Sequence, residues 1–367
     1  MITSCAPSKE FLLKRSSSIG IENGYIRVLI KKMDSRVMLF SKSRMKITEI
    51  DNREIKYNCK GRKIYFYPEK LKKSILIESW GSPICVDGKY YRGAIKLYNV
   101  LGKIYVINVV SMSEYLYSVV PSEISSSWDI EAIKAQAVAA RTYAFYHFMK
   151  RRSMYDLDAT INFQAYKGIS VESGITKRAV DETCGKIVIF NNKPILAFFH
   201  STCGGKTSDD KYVWNGDDKI YLCEVGCDYC KDSPHYQWKD KITLYEIRQL
   251  LKKRYGAVGI ISDIVFRKKS GRICSVIIRH KNGNVRMTGN DFRLLFSQQR
   301  VKSLFFSATK VRDGLILHGH GWGHGVGMCQ WGAKGMAEKG AGYKVILKHY
   351  YRGTRIIDTL RTRYARR

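Results

Sequence analysis

Three stretches of this sequence hold side chains whose types and spacing suit chemistry. In Val119-Val120-Pro121-Ser122-Glu123 a carboxylate follows a proline-fixed turn, a few residues before a strongly helical run. A turn at the edge of a rigid element displays an acid well; the alternative is a solvated acid assisting the start of that helix. From Gly319 to Gly332, eight of fourteen residues are Gly or His. Glycines let the backbone approach a ligand closely. His320 and His324 can act as acid, base, ligand or donor, and Trp322 and Trp331 can stack on flat sugar faces. The other reading is a tight structural loop whose histidines satisfy backbone carbonyls. The Gly-Lys-Ser/Thr ending of a phosphate loop is missing.

The third stretch is rich in cysteine. Of the ten cysteines, Cys203, Cys223, Cys227 and Cys230 fall close together. Cys227-Asp228-Tyr229-Cys230 is a CxxC, and His200-Ser201-Thr202-Cys203 supplies a second close pair. Two such pairs match the spacing of a tetrahedral Zn²⁺ site with His200, Cys203, Cys227 and Cys230 as ligands. Cys223 and His235 are spare candidates. A CxxC disulfide or a Cys203–Cys223 bridge is the alternative.

These residues need elements to position them. The chain has 367 residues, 45% hydrophobic and 12% aromatic, enough for real cores. No apolar run reaches the roughly 18 residues of a membrane span. Residues 25–110 read as short strands, with alternation as in Lys63-Ile64-Tyr65-Phe66-Tyr67. Residues 129–150 form the best helix. Ile130, Ile133, Ala137, Ala140 and Ala144 share one thin stripe, and Ser125–Ser127 offer N-caps. A short helix at 175–183 and a strand pair around Asn191-Asn192 follow. Further on come a helix at 243–254, strands at 263–267, 272–280 and 284–287, and a helix near 290–298. A helix from about 330 to 351 follows the Gly-His loop. The expected class is α+β, mostly antiparallel β with a central helix. Its regions are an N-terminal linker (1–24), a β-rich part (25–110), a catalytic core with the Cys-rich segment (111–240), an α/β accessory part (241–310), and the Gly-His loop and helix completing the cleft (311–367). Met1–Cys5 has the ending of a bacterial lipoprotein signal without the basic, apolar lead, so Cys5 is either a lipid-anchor site or a chance match.

Val120-Pro121-Ser122-Glu123, followed by Lys134-Ala135-Gln136-Ala137-Val138-Ala139-Ala140-Arg141-Thr142-Tyr143, resembles the signature of the SpoIID/LytB family. That family comprises stage II sporulation protein D and the amidase enhancers. Tyr91-Arg92-Gly93, Phe199-His200-Ser201-Thr202-Cys203-Gly204-Gly205 and His320 to Ala333 agree with it, in order. Two departures stand out. The residue after Met328, often Ser in the family, is Cys329, and the acidic pair upstream of Tyr-Leu is Ser113-Glu114.

The resemblance implies a peptidoglycan lytic transglycosylase acting on denuded glycan strands, with Glu123 as the catalytic acid. Gln136, Arg141, Ser201, His320, Trp322 and His324 would contact the substrate, and a zinc ion would sit at the Cys/His group. It also implies an extracytoplasmic location in the cell envelope and a wall amidase as a possible partner; a non-catalytic glycan-binding amidase enhancer is the competing role. The balance of 64 Lys and Arg against 32 acids gives a net charge of +32, which suits an anionic wall polymer. The basic residues are spread along the chain and no nucleic-acid module is visible, so a nucleic-acid partner is not expected.

Overall fold

The computed structural model describes residues 24–49, 54–55, 60–72, 74–150, 154–160, 163–214, 218–297 and 299–360. The linker before Gly24, the lipoprotein-like Cys5, and Cys59 lie outside the described residues. The chain forms two units, one from residues 1–196 and 356–367, the other from residues 197–355. The fold is α+β with mostly antiparallel sheets, as expected. Among the described residues no helix is long and apolar enough to cross a membrane.

The first unit is built on a seven-stranded sheet in the order Leu157–Asp158, Tyr25–Met33, Lys103–Ser111, Ala94–Val100, Ile75–Ser79, Met45–Glu49 and Glu54–Ile55. Only the Leu157–Asp158 pairing with Tyr25–Met33 is parallel. Leu101 (φ 50°) and Gly102 (φ 76°) close the central hairpin, matching the twist of its strands. The strand Lys103–Ser111 runs directly into a helix, Met112–Glu123, where a turn at Pro121 had been expected. Ser111 caps this helix by accepting the Glu114 N–H at 3.3 Å. Pro121 lies inside its last turn, so Glu123 is a helix-terminal residue.

The next helix, Ile130–Met149, is capped by Asp129, which accepts the Glu131 N–H at 2.7 Å. Asp129, not the serines at 125–127, therefore takes the capping role. The helix is buried on every side, including Ala135, Val138 and Ala139 off the predicted stripe, as an element running through a core must be. The Gly174–Glu182 helix and the Lys186–Phe190 strand pack against it. Asn191 and Asn192, both at positive φ, turn the chain back to Lys193–Pro194.

In the second unit, Gln237–Thr243, Gly314–His320 and Phe306–Val311 form one antiparallel sheet, and Ile261–Lys269, Arg272–His280 and Gly283–Thr288 another. Ile242, Ile247, Val276, Phe292 and Leu317 share their core. Thr243 and Glu246 form a reciprocal capping box on the Leu244–Tyr255 helix. The expected 330–351 helix is two helices, Gln330–Glu338 and Tyr343–Tyr350. Gly340 at φ 84° and Gly342 separate them, since left-handed glycine ends a helix.

Candidate functional site

Glu123 is half-buried at the C-terminal end of the Met112–Glu123 helix. Its Oε1 accepts the Ala165 N–H at 2.8 Å; no described residue hydrogen-bonds Oε2. Burial pushes the carboxyl pKa up, opposed by the Ala165 hydrogen bond and the charge of Lys167. A carboxyl that resists ionisation and keeps one oxygen free is equipped to carry and deliver a proton.

The segment that supplies Ala165 is pinned at several points. Tyr115 donates to Gln164 Oε1 (3.1 Å), the Lys167 N–H donates to Ser118 Oγ (3.0 Å), and Tyr166 donates to Asn108 Oδ1 (2.5 Å). The Tyr115 and Tyr166 rings lie 5.1 Å apart. The Tyr91-Arg92-Gly93 motif braces the same region. Tyr91 packs 5.8 Å from Tyr166, and Arg92 forks onto Glu172 at 2.7 and 2.8 Å. Gly93 (φ 72°) lies so close to the Val109 carbonyl that no side chain fits.

Two expected substrate contacts on the central helix are internal. Arg141 is fully buried. It donates to the Val180 carbonyl (2.9 Å), Thr183 Oγ1 (3.3 Å) and the Lys186 carbonyl (3.5 Å). It therefore ties down the end of the Gly174–Glu182 helix instead of meeting a ligand. Gln136 is buried as well.

In the second unit the Gly-His loop docks on the segment after Phe198. Thr202 and Trp322 exchange backbone hydrogen bonds at 3.0 and 2.8 Å, and the Trp331 N–H reaches the Ser201 carbonyl at 3.0 Å. His324 accepts the Val326 N–H at Nδ1 (3.1 Å) and donates from Nε2 to the Phe199 carbonyl (3.0 Å). Both nitrogens are committed, and burial holds the ring pKa well below the usual histidine range. For His324 the structural reading of the loop therefore replaces the expected sugar contact. His320 stays half-buried, its ring 5.3 Å from that of Phe305. It borders an open depression of about 430 Å³ shared with Gln237, Lys239 and His318. Trp322 is half-buried and meets the His235 ring edge-on at 4.1 Å. Ser201 is half-buried, its hydroxyl 3.4 Å from that of Thr202.

The Sγ atoms of Cys203, Cys227, Cys230 and Cys329 lie within 4.8 Å of one another, and all four residues are buried. Four thiolates at about 2.3 Å from a tetrahedral zinc would be spaced by about 3.8 Å, so the group fits such an ion. Hydrogen bonds from the neighbouring thiols hold Cys230 well below the ordinary thiol range. The Cys203 and Gly332 N–H groups point at Cys329 Sγ (3.2 and 3.3 Å), and Tyr350 Oη lies 3.2 Å from Cys227 Sγ. Such contacts orient metal-binding thiolates. His200, the expected fourth ligand, is outside the group. Its Nδ1 meets the Val326 carbonyl at 3.1 Å, and burial lowers its pKa to about 3. Cys329 takes that position. Cys223 and His235 are also outside the group, and no disulfide joins the described cysteines.

Comparison with known proteins follows the same division. Residues 101–190 match the family described as stage II sporulation protein (SpoIID), and residues 221–327 match a domain of unknown function, DUF8618. An uncharacterised protein of Brachyspira hyodysenteriae is 36% identical over 295 residues, 78% of this chain and 77% of that one. Stage II sporulation protein D of Bacillus subtilis is 32% identical over 266 residues, 68% of this chain and 75% of its own length. The chain belongs to the stage II sporulation protein D family. The amidase enhancer of Bacillus subtilis is similar too, 27% identical over 75% of this chain and 45% of its own.

Within this family member, the SpoIID match contains Glu123, the central helix and the Ala165 segment, whereas Cys203 and Cys329 fall outside both matched ranges. Sequence reasoning missed the segment 163–168, which has no periodicity; it acts on Glu123 through the Ala165 N–H and the charge of Lys167. It also missed Cys329 as the fourth thiol of the cluster. The available signal was the departure itself, a cysteine where the family often has serine.

Proposed function

We propose that this protein is a peptidoglycan lytic transglycosylase using Glu123 as its single acid/base. The observation that carries the reading is the state of that carboxyl, raised in pKa with Oε1 held and Oε2 free. Protonated Oε2 donates to the oxygen linking N-acetylmuramic acid to N-acetylglucosamine, and the bond from the muramyl C1 to that oxygen breaks. The resulting carboxylate takes the proton of the muramyl C6 hydroxyl, whose oxygen bonds to C1 and closes a 1,6-anhydro ring. Water is not consumed, and the intramolecular attack draws on proximity. One carboxylate then suffices where ordinary glycosidases use two. The Ala165 N–H fixes the rotamer throughout. Denuded glycan strands are the substrate, met in the cell envelope outside the cytoplasm, and the +32 charge favours encounter with anionic wall polymer.

The cysteine group reads best as a structural zinc centre. Cys203, Cys227, Cys230 and Cys329 would hold the ion, which when bound cross-links three separate stretches of the second unit. The similarity to an amidase enhancer favours a second role, in which the protein binds glycan beside a wall amidase without cleaving it. Mass spectrometry of denuded strands after incubation separates the two. New anhydro-muramyl ends support the lytic reading, and intact strands that co-sediment with the protein support the enhancer role.

A further inference from the structure

Arg272 opens the Arg272–His280 strand and is buried, at 2% exposure. Its Nη2 donates to the carbonyl of Cys203 at 2.8 Å and to that of Lys206 at 2.5 Å. Its Nε and Nη1 are buried with no hydrogen-bond partner among the described residues, and no ion pair joins it to a described carboxylate. The Phe305 ring covers the guanidinium at 5.0 Å. On another side sits Gly325 of the Gly-His loop, where a Cβ would come within 2.8 Å of the guanidinium carbon. Three stretches of chain thus enclose a permanent cation and give it two neutral carbonyls; the carboxylate whose charge reaches it, Glu224, is bonded to Lys206 and Ser270 and not to the guanidinium. A buried charge with no anion bonded to it is costly, and Glu224 acts on this one only without a bond.

The nearest candidate for a further anion is next door. Cys203, whose carbonyl the guanidinium holds, is one of the four clustered thiols. Four thiolates around a divalent ion leave a net charge of −2, which a dry interior tolerates poorly without compensation. We propose that Arg272 is the built-in counter-charge of the tetrathiolate centre: it offsets one of the two excess negative charges of the zinc-loaded cluster, and the loaded cluster adds to the charge of Glu224, which acts on the guanidinium without bonding to it. The inference rests on the zinc reading of the cluster. It also gives a physical reason for Gly325, since any side chain there would displace the guanidinium from its place beside the cysteines.

The test is zinc retention by the full chain, read as the rate and equilibrium of zinc transfer to a chromogenic chelator. Arg272→Gln keeps N–H donors for the two carbonyls and removes the charge; Arg272→Lys keeps the charge and loses the planar fork. Charge compensation predicts that Arg272→Gln binds zinc about 10–100-fold more weakly, the usual cost of losing an outer-shell partner, while Arg272→Lys stays within about threefold of wild type. Equal retention by all three proteins overturns the proposal, and so does an equal loss in Gln and Lys, which would assign Arg272 a purely structural hold on the carbonyls. If Arg272→Gln is insoluble, Arg272→Lys decides: retention supports the charge role, and a loss of about tenfold or more contradicts it. A wild-type protein that takes up no zinc defeats the zinc reading itself and this inference with it, an outcome distinct from a zinc-loaded wild type whose variants behave alike.

Discussion

Burial shifts the pKa of both Glu123 and His324 toward the neutral form. They differ in what is left over. His324 spends both ring nitrogens on backbone groups of its own unit, whereas Glu123 spends one oxygen and keeps the other. The same contrast separates Arg141, whose guanidinium serves three groups at a helix end, from the carboxyl one helix earlier in the chain. A titratable side chain whose polar atoms are turned to its own backbone is scaffold, whatever motif it sits in. One with a shifted pKa and a spare atom can do chemistry.

Substitutions should divide along this line. The largest expected effect is on the scaffold side. Cys329→Ser or Cys227→Ser should lose bound zinc and about 4 kcal/mol or more of stability, because metal binding and folding are coupled. His200→Ala should keep its zinc; elemental analysis with thermal unfolding checks both. Next comes Glu123→Gln, which should cut turnover by at least about a hundredfold while glycan binding survives. Its stability should change in a defined direction. The raised pKa stabilises the fold below the unfolded-state value and is lost as pH rises through the folded-state value. Above that pH the Gln variant should therefore be no less stable than wild type in chemical denaturation.

Arg141→Met comes third. It strips the Val180 and Lys186 carbonyls of a buried donor and should cost about 1–3 kcal/mol, with turnover per folded molecule little changed. Denaturant titration beside active-site-normalised rates would reveal a direct substrate role if the rate fell instead. The smallest effect is expected from Lys167→Met. The charge of Lys167 opposes the burial that raises the Glu123 pKa, so its removal should move the alkaline fall in activity upward, and less in high salt. No shift in the pH–rate profile at low salt would place the titrating group elsewhere.

Glu123 stands out in the sequence as the candidate acid, but its setting does not. Val119-Val120-Pro121 reads locally as the end of a strand and a turn. Only the Ser111 cap and packing against the central helix make 112–123 helical. The central helix was found with its bounds nearly right, yet its all-round burial was hidden because alanines suit a close-packed interface and an exposed face equally. CxxC spacing located half of the four-thiol cluster. Cys329 lies about a hundred residues further on, and folding alone brings it to Cys203; His200, close in sequence to Cys203, stands outside the clustered thiols. The histidines of the Gly-His loop were recognised as either functional or structural, and the choice depended on hydrogen bonds to Phe199 and Val326 that no spacing encodes.

The central claim, a lone Glu123 that closes an anhydro ring without using water, is tested most directly by digesting denuded glycan strands in water enriched in the heavy oxygen isotope. Wild-type protein should release fragments whose muramyl ends are anhydro, one water lighter than hydrolysis products and free of heavy oxygen, and Glu123→Gln should release almost none. Reducing ends labelled with heavy oxygen, or unchanged anhydro product from Glu123→Gln, would contradict it.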